Sequence, residues 1–97
     1  MFIVSLTYKS ELSEVDKFIN EHVTFLEKYY ASGKFIASGR KVPRTGGIIL
    51  VNASNKGEVD EIIKEDPFHK ANVANYEVTE FVPTMASKEF EAIKNCI

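Results

Sequence analysis

Apolar residues change their rhythm several times along this chain. Residues 2–8 read Phe-Ile-Val-Ser-Leu-Thr-Tyr, with apolar side chains at consecutive positions, as in a strand that buries both faces. From Val15 the spacing lengthens. Val15, Phe18, Ile19, Phe25, Leu26, Tyr29 and Tyr30 form one helical stripe. Ser13 is a good N-cap, Glu14 and Asp16 put acid in the first turn, and Gly33 waits past the end. Residues 35–40 and 47–53 return to strand patterning, joined by the turn chemistry of Val42-Pro43-Arg44-Thr45-Gly46. Asn55, with Glu58 three residues on, resembles a capping box and opens a second helix whose inner face is Val59, Ile62 and Ile63. That helix is expected to stop at Asp66, because the residue before a proline is pushed out of the α region. Residues 76–82 read as a fourth strand closed by Pro83, and residues 87–94 as one more short helix.

The order βαββαβ predicts an α+β, ferredoxin-like fold: an antiparallel four-stranded sheet, strands 1 and 3 central, both helices on one face. Two helices cover only one face, yet strands 1 and 3 are apolar on both. The simplest cover for the second face is the same face of another copy. A homodimer with sheets packed face to face, a dimeric α+β barrel, is therefore expected.

Length and composition fit that picture. The 97 residues suit one domain spanning 1–97, with 84–97 as a C-terminal tail. Apolar residues make up 44% and charged residues 27%, the balance of an ordinary globular protein. A net charge of -2, with no basic stripe, gives no footprint for nucleic acid or an anionic membrane. The one cysteine, Cys96, builds no disulfide framework and sits at a fraying end, a poor place for a nucleophile. The apolar start lacks a basic n-region and turns polar at Lys9, so a cytoplasmic protein is expected.

Two residues stand out chemically. His22 lies inside the helical stripe, four residues after Phe18 and three before Phe25, so it points inward. It is either a core histidine satisfied by a backbone carbonyl or a general acid/base, a role that a partly buried imidazole fills well near neutral pH. Asp66 stands in Glu65-Asp66-Pro67-Phe68-His69. It is either a plain helix stop or an acid held in one direction by the rigid proline, within reach of His22 across antiparallel helices. If the two meet, the carboxylate fixes the imidazole tautomer. Ser38 and Arg40 flank Gly39 on strand 2, where Arg40 could hold an anion or pair with Asp66. His69 is expected to be exposed. His22, Asp66 and His69 lack metal-ligand spacing, and no metal or other cofactor is expected. Nucleotide, hydrolase and zinc signatures are absent.

Taken in order, Glu-His-Val-Thr-Phe-Leu in helix 1, Gly-Lys-Phe-Ile-Ala-Ser-Gly-Arg across strand 2, and Asp-Pro-Phe-His-Lys-Ala-Asn before the last strand resemble the YciI-like family of the dimeric α+β barrel superfamily. The resemblance runs from Phe2 to about Phe81. It implies a His–Asp pair, here His22 and Asp66, lining a pocket near the subunit interface. It also implies cofactor-independent lyase or isomerase chemistry on small cyclic molecules. Many members carry proline after the strand-2 glycine; Arg40 stands there in this chain, which favours an anionic ligand. The expected protein is a small enzyme in which His22 moves a proton and Asp66 orients it. Ser38 and Arg40 contact substrate, and Phe68 walls the pocket against water. The rival is a non-catalytic dimer holding a metabolite in the same pocket. A purely structural His22 is the third possibility.

Overall fold

Strands β1 (Phe2–Tyr8), β2 (Phe35–Arg40), β3 (Gly46–Val51) and β4 (Ala74–Glu80) form one antiparallel sheet in the order β2-β3-β1-β4. This computed structural model describes residues 1–95, so Cys96 lies outside the described residues. β1 and β3 are central, with Phe2 opposite Val51 and Leu6 opposite Gly47. Because side chains alternate across a strand, Phe2, Val4 and Leu6 face one side together with Ile49, Val51, Tyr76 and Val78. Phe2, Val4 and Leu6 are fully buried there against Val15, Phe25, Val59, Ile62 and Phe68. At roughly 1.5–3 kcal/mol for each large side chain removed from water, this layer supplies most of the driving force.

The helices are more divided than the stripe predicts. The first breaks into α1 (Leu12–Asp16) and α2 (Ile19–Ala31). Glu11, not Ser13, is the N-cap of α1, and Phe18 leaves helical geometry at φ -112, ψ 6. Val15 is buried, and Phe18, at the break, packs half-buried against the core. Gly33 ends the helical stretch in the left-handed region at φ 79, as its lack of a Cβ allows.

The second helix is also two. α3 (Lys56–Lys64) opens on Asn55, whose side chain accepts from the Glu58 N–H at 2.9 Å. The Glu58 carboxylate returns to the Ser54 N–H at 3.0 Å, one residue before the cap. After Lys64 the chain restarts as α4 (Pro67–Lys70), with Asp66 as its N-cap. The expected stop at Asp66 is thus the start of a further turn. β3 and β4 are displaced from the predicted 47–53 and 76–82, and the tail turn at Lys88–Asn95 is a 3₁₀ helix.

The other sheet face carries Ile3, Ser5, Thr7, Ile48, Leu50 and Ala37. None of Ile3, Ile48 and Leu50 joins the buried core, and Ile48 is exposed. No helix among the described residues is long and apolar enough to cross a membrane.

Candidate functional site

The turn between α3 and α4 is built around Asp66. A residue preceding proline must be extended, and Asp66 is, at φ -69, ψ 124. Pro67 then occupies the first helical position, where its missing N–H costs nothing and its fixed φ suits the helix. The Asp66 side chain caps this turn by accepting from the Phe68 N–H at 3.0 Å. The same oxygen, Oδ1, lies 2.8 Å from Nδ1 of His22. The second oxygen, Oδ2, accepts from the Tyr76 hydroxyl at 2.7 Å. Asp66 is 0% exposed. Buried carboxylates need this degree of satisfaction.

Three donors on two oxygens define the tautomer. A carboxylate only accepts, so the His22 nitrogen facing it carries the hydrogen, and Nε2 of the neutral ring is left with its lone pair. No described residue hydrogen-bonds Nε2. The imidazole lies flat on the Phe68 ring, centroids 4.1 Å apart and planes 8° from parallel. Phe68 in turn meets the edge of Tyr8 at 5.9 Å. The His22 side chain keeps 13% of its surface open and lines a cavity. Burial, followed by the nearby Asp66 charge and its hydrogen bond, drives the Tyr76 phenol far above its usual range. Tyr76 therefore stays a neutral donor at any working pH.

Beside His22 opens a cavity of about 460 Å³, within the usual range for small-molecule sites. Its walls include Ile19, Val23, Leu26, Ile48 and Phe68, with Ser38, Arg40 and Arg44 on its polar side. The structure thus brings His22, Asp66, Ser38, Arg40 and Phe68 to one place. Ser38 and Arg40 pair with Ile49 and Gly47 of β3, which puts them on the helix-bearing face. The Ser38 hydroxyl exchanges a hydrogen bond with Tyr30 at 2.6 Å. Arg40 does not pair with Asp66, whose oxygens are filled from other elements. His69 is exposed; its ring lies near Tyr76 and lines a different cleft. Among the described residues no group of His, Cys, Asp and Glu could hold a metal ion.

The model for the YCII-related domain matches residues 1–82. The chain belongs to that family. No curated protein matches it in sequence. Among solved structures, this YCII-related domain is similar to 5-chloro-2-hydroxyhydroquinone dehydrochlorinase from Burkholderia phenoliruptrix AC1100, determined with 2,5-dihydroxybenzoquinone. The TM-score is 0.72 over 82% of this chain and 91% of that one, at 21% identity. The likeness establishes the α+β fold, a four-stranded antiparallel sheet with helices on one face.

Two contributors escape a reading by residue type. Tyr76 looks like an ordinary strand aromatic; only its register opposite Leu6 turns it inward toward Asp66. Arg44 looks like part of a turn, yet the β2–β3 loop carries it to the cavity, where it pairs with Asp16 of α1. A strand-alternation count from Leu6 could have found the first. Nothing local signals the second.

Proposed function

We propose that this YCII-related protein is a cofactor-independent enzyme that moves a proton on a small organic molecule, with His22 as base and then acid. The observation that carries this reading is the hydrogen bond from His22 to the fully buried Asp66, which leaves Nε2 bare beside a largely apolar cavity. Nε2 takes a proton from an acidic C–H or O–H of the substrate, and the electron pair stays on the substrate as an enolate-like anion. The imidazolium, paired with Asp66, then returns the proton. Return at another carbon is an isomerisation. If the electron pair instead expels a leaving group, the result is an elimination, the class named for the dehydrochlorinase whose fold the chain resembles. Ser38 and Arg40 contact the substrate away from the reacting atoms, and Phe68 excludes water from one face of the ring.

The whole chain acts as one domain in this reading, and a second copy covers the face of Ile3, Ile48 and Leu50. The central strands otherwise leave aliphatic surface in water.

The test is hydrogen–deuterium exchange in D₂O, followed by NMR, over a panel of cyclic enols, lactones and hydroxyquinones that includes 5-chloro-2-hydroxyhydroquinone. Exchange reports proton removal whatever follows it. The expected result is catalysed exchange that disappears in His22→Ala while the fold and ligand binding persist. Exchange that survives in His22→Ala rules out this base. Binding without exchange across the panel favours a metabolite-holding dimer instead.

A further inference from the structure

The cavity's charge is opposite to that of the chain. The protein carries a net charge of -2, but no aspartate or glutamate lines this cavity, whereas His22, Arg40 and Arg44 do. The two arginines are not equivalent. Arg44 is committed to Asp16, at 2.5 Å, and that pair is nearly neutral as a unit. The Arg40 guanidinium has no ion pair or hydrogen bond among the described residues, although its backbone pairs with Gly47 of β3. The cavity thus offers one uncompensated positive charge, next to a base.

Sheet register fixes where that charge sits relative to the dyad. Tyr76, Leu6, Gly47 and Arg40 form one row across all four strands on the helix-bearing face. Three strand spacings of about 4.8 Å separate the ends of the row, roughly 14 Å in all. Tyr76 at one end holds Asp66, and through it His22. Arg40 stands at the other. Between them Gly47 contributes no side chain, which hollows the floor of the cavity.

We infer that the cavity takes a small, ring-sized monocarboxylic acid, its carboxylate gripped by the Arg40 guanidinium and its apolar body laid over Gly47 toward His22. The planar guanidinium fork matches a carboxylate with two parallel hydrogen bonds, which an ammonium group cannot do. One free guanidinium balances one negative charge, so a phosphate or dicarboxylate would leave charge unmatched against apolar walls. The placement of the reacting end at His22 rests on the acid–base reading above; the selection for an anion does not.

Benzoate and benzamide test this, since they share shape and differ in charge. Each is titrated into the ¹⁵N-labelled full-length protein while backbone amide shifts are followed. Benzoate is expected to move the Arg40, Gly47 and Ile48 amides saturably, with an affinity that falls as salt rises. Benzamide should bind at least about tenfold more weakly, a difference of about 1.4 kcal/mol. Arg40→Gln should lose that discrimination, and Arg40→Lys should restore part of it. The inference is overturned if benzamide matches benzoate, if Arg40→Gln binds benzoate unchanged, or if millimolar benzoate leaves the cavity amides unmoved. Exchange activity that persists despite any of these results sinks the carboxylate and leaves the dyad standing. Benzoate bound as expected, with no exchange activity in the panel, sinks the dyad alone.

Discussion

Replacing Tyr76 by phenylalanine removes one oxygen and leaves the ring in place, so its effect isolates the donor to Asp66 Oδ2. That donor is the only described partner of Oδ2, at 2.7 Å, and Asp66 has no access to water. Hydrogen bonds to charged groups contribute about 1.5–3 kcal/mol, and stranding a buried acceptor incurs its desolvation cost as well. A loss of about 2 kcal/mol is therefore expected. For a domain of this size that lowers the urea midpoint by roughly 1 M if the slope is unchanged. Tyr30→Phe is the control. Its hydroxyl bonds Ser38 at the surface, and removing it should cost within about 0.5 kcal/mol.

The stability change alone does not show that Asp66 is the route. A double-mutant cycle with Asp66→Asn does, because contacting partners couple by about 0.5–3 kcal/mol and independent sites add. The functional consequence is separate from stability. Without its second donor the Asp66 carboxylate is held only by the Phe68 N–H and His22, so it dictates the tautomer of His22 less firmly. The ¹⁵N shifts of the His22 ring should then lose the pattern of a protonated Nδ1 and a bare Nε2. A Tyr76→Phe protein as stable as the native one, with His22 shifts unchanged, would refute the idea that Asp66 depends on three donors.

Three further outcomes follow from other parts of the molecule. A Cβ at Gly46 would lie 1.8 Å from the Leu6 carbonyl oxygen, so Gly46→Ala must push apart the two central strands; a loss of roughly 3 kcal/mol or more, or failure to fold, is expected in denaturant titration. The Ser54 N–H, followed by Lys34, holds the Glu58 carboxyl below its usual range. Its contribution is present above the unfolded value and is lost as pH falls through the folded one, so the stability gap between native protein and Glu58→Gln should close below about pH 4. Leu50→Glu puts a charge on the sheet face proposed to meet a second copy, and light scattering should show the native protein at twice the monomer mass and the variant at the monomer mass; equal masses for the two proteins overturn that interface.

The strand content of this chain is legible because β1 and β3 carry unbroken apolar runs, and such runs satisfy few alternatives to a central position. Helix continuity is less legible. Val15 and Phe18 fit one helical stripe with Phe25, and all three do pack on the core, yet the chain leaves helical geometry at Phe18. Periodicity records which residues go inward and not where the axis bends. The Asn55 cap is readable because its bonds are local. The contacts of Arg44 with Asp16 and of Tyr76 with Asp66 join residues distant in sequence, and only register and loop path create them.

The two readings of Asp66, helix punctuation and functional acid, turn out to share an atom. Oδ1 accepts both the Phe68 N–H that starts α4 and the His22 Nδ1–H that crosses from α2. The local motif holds the carboxylate in a single direction, since Pro67 restricts the backbone before the turn and the cap restricts the side chain after it. The tertiary contact then uses a group whose conformational freedom has already been removed, which lowers the cost of aiming it. The same turn delivers Phe68 flat against the imidazole it has oriented. A four-residue segment thereby sets the hydrogen-bond partner, the tautomer and the stacking surface of one histidine. Moving the proline by one position should disturb all three together, while leaving the sheet intact.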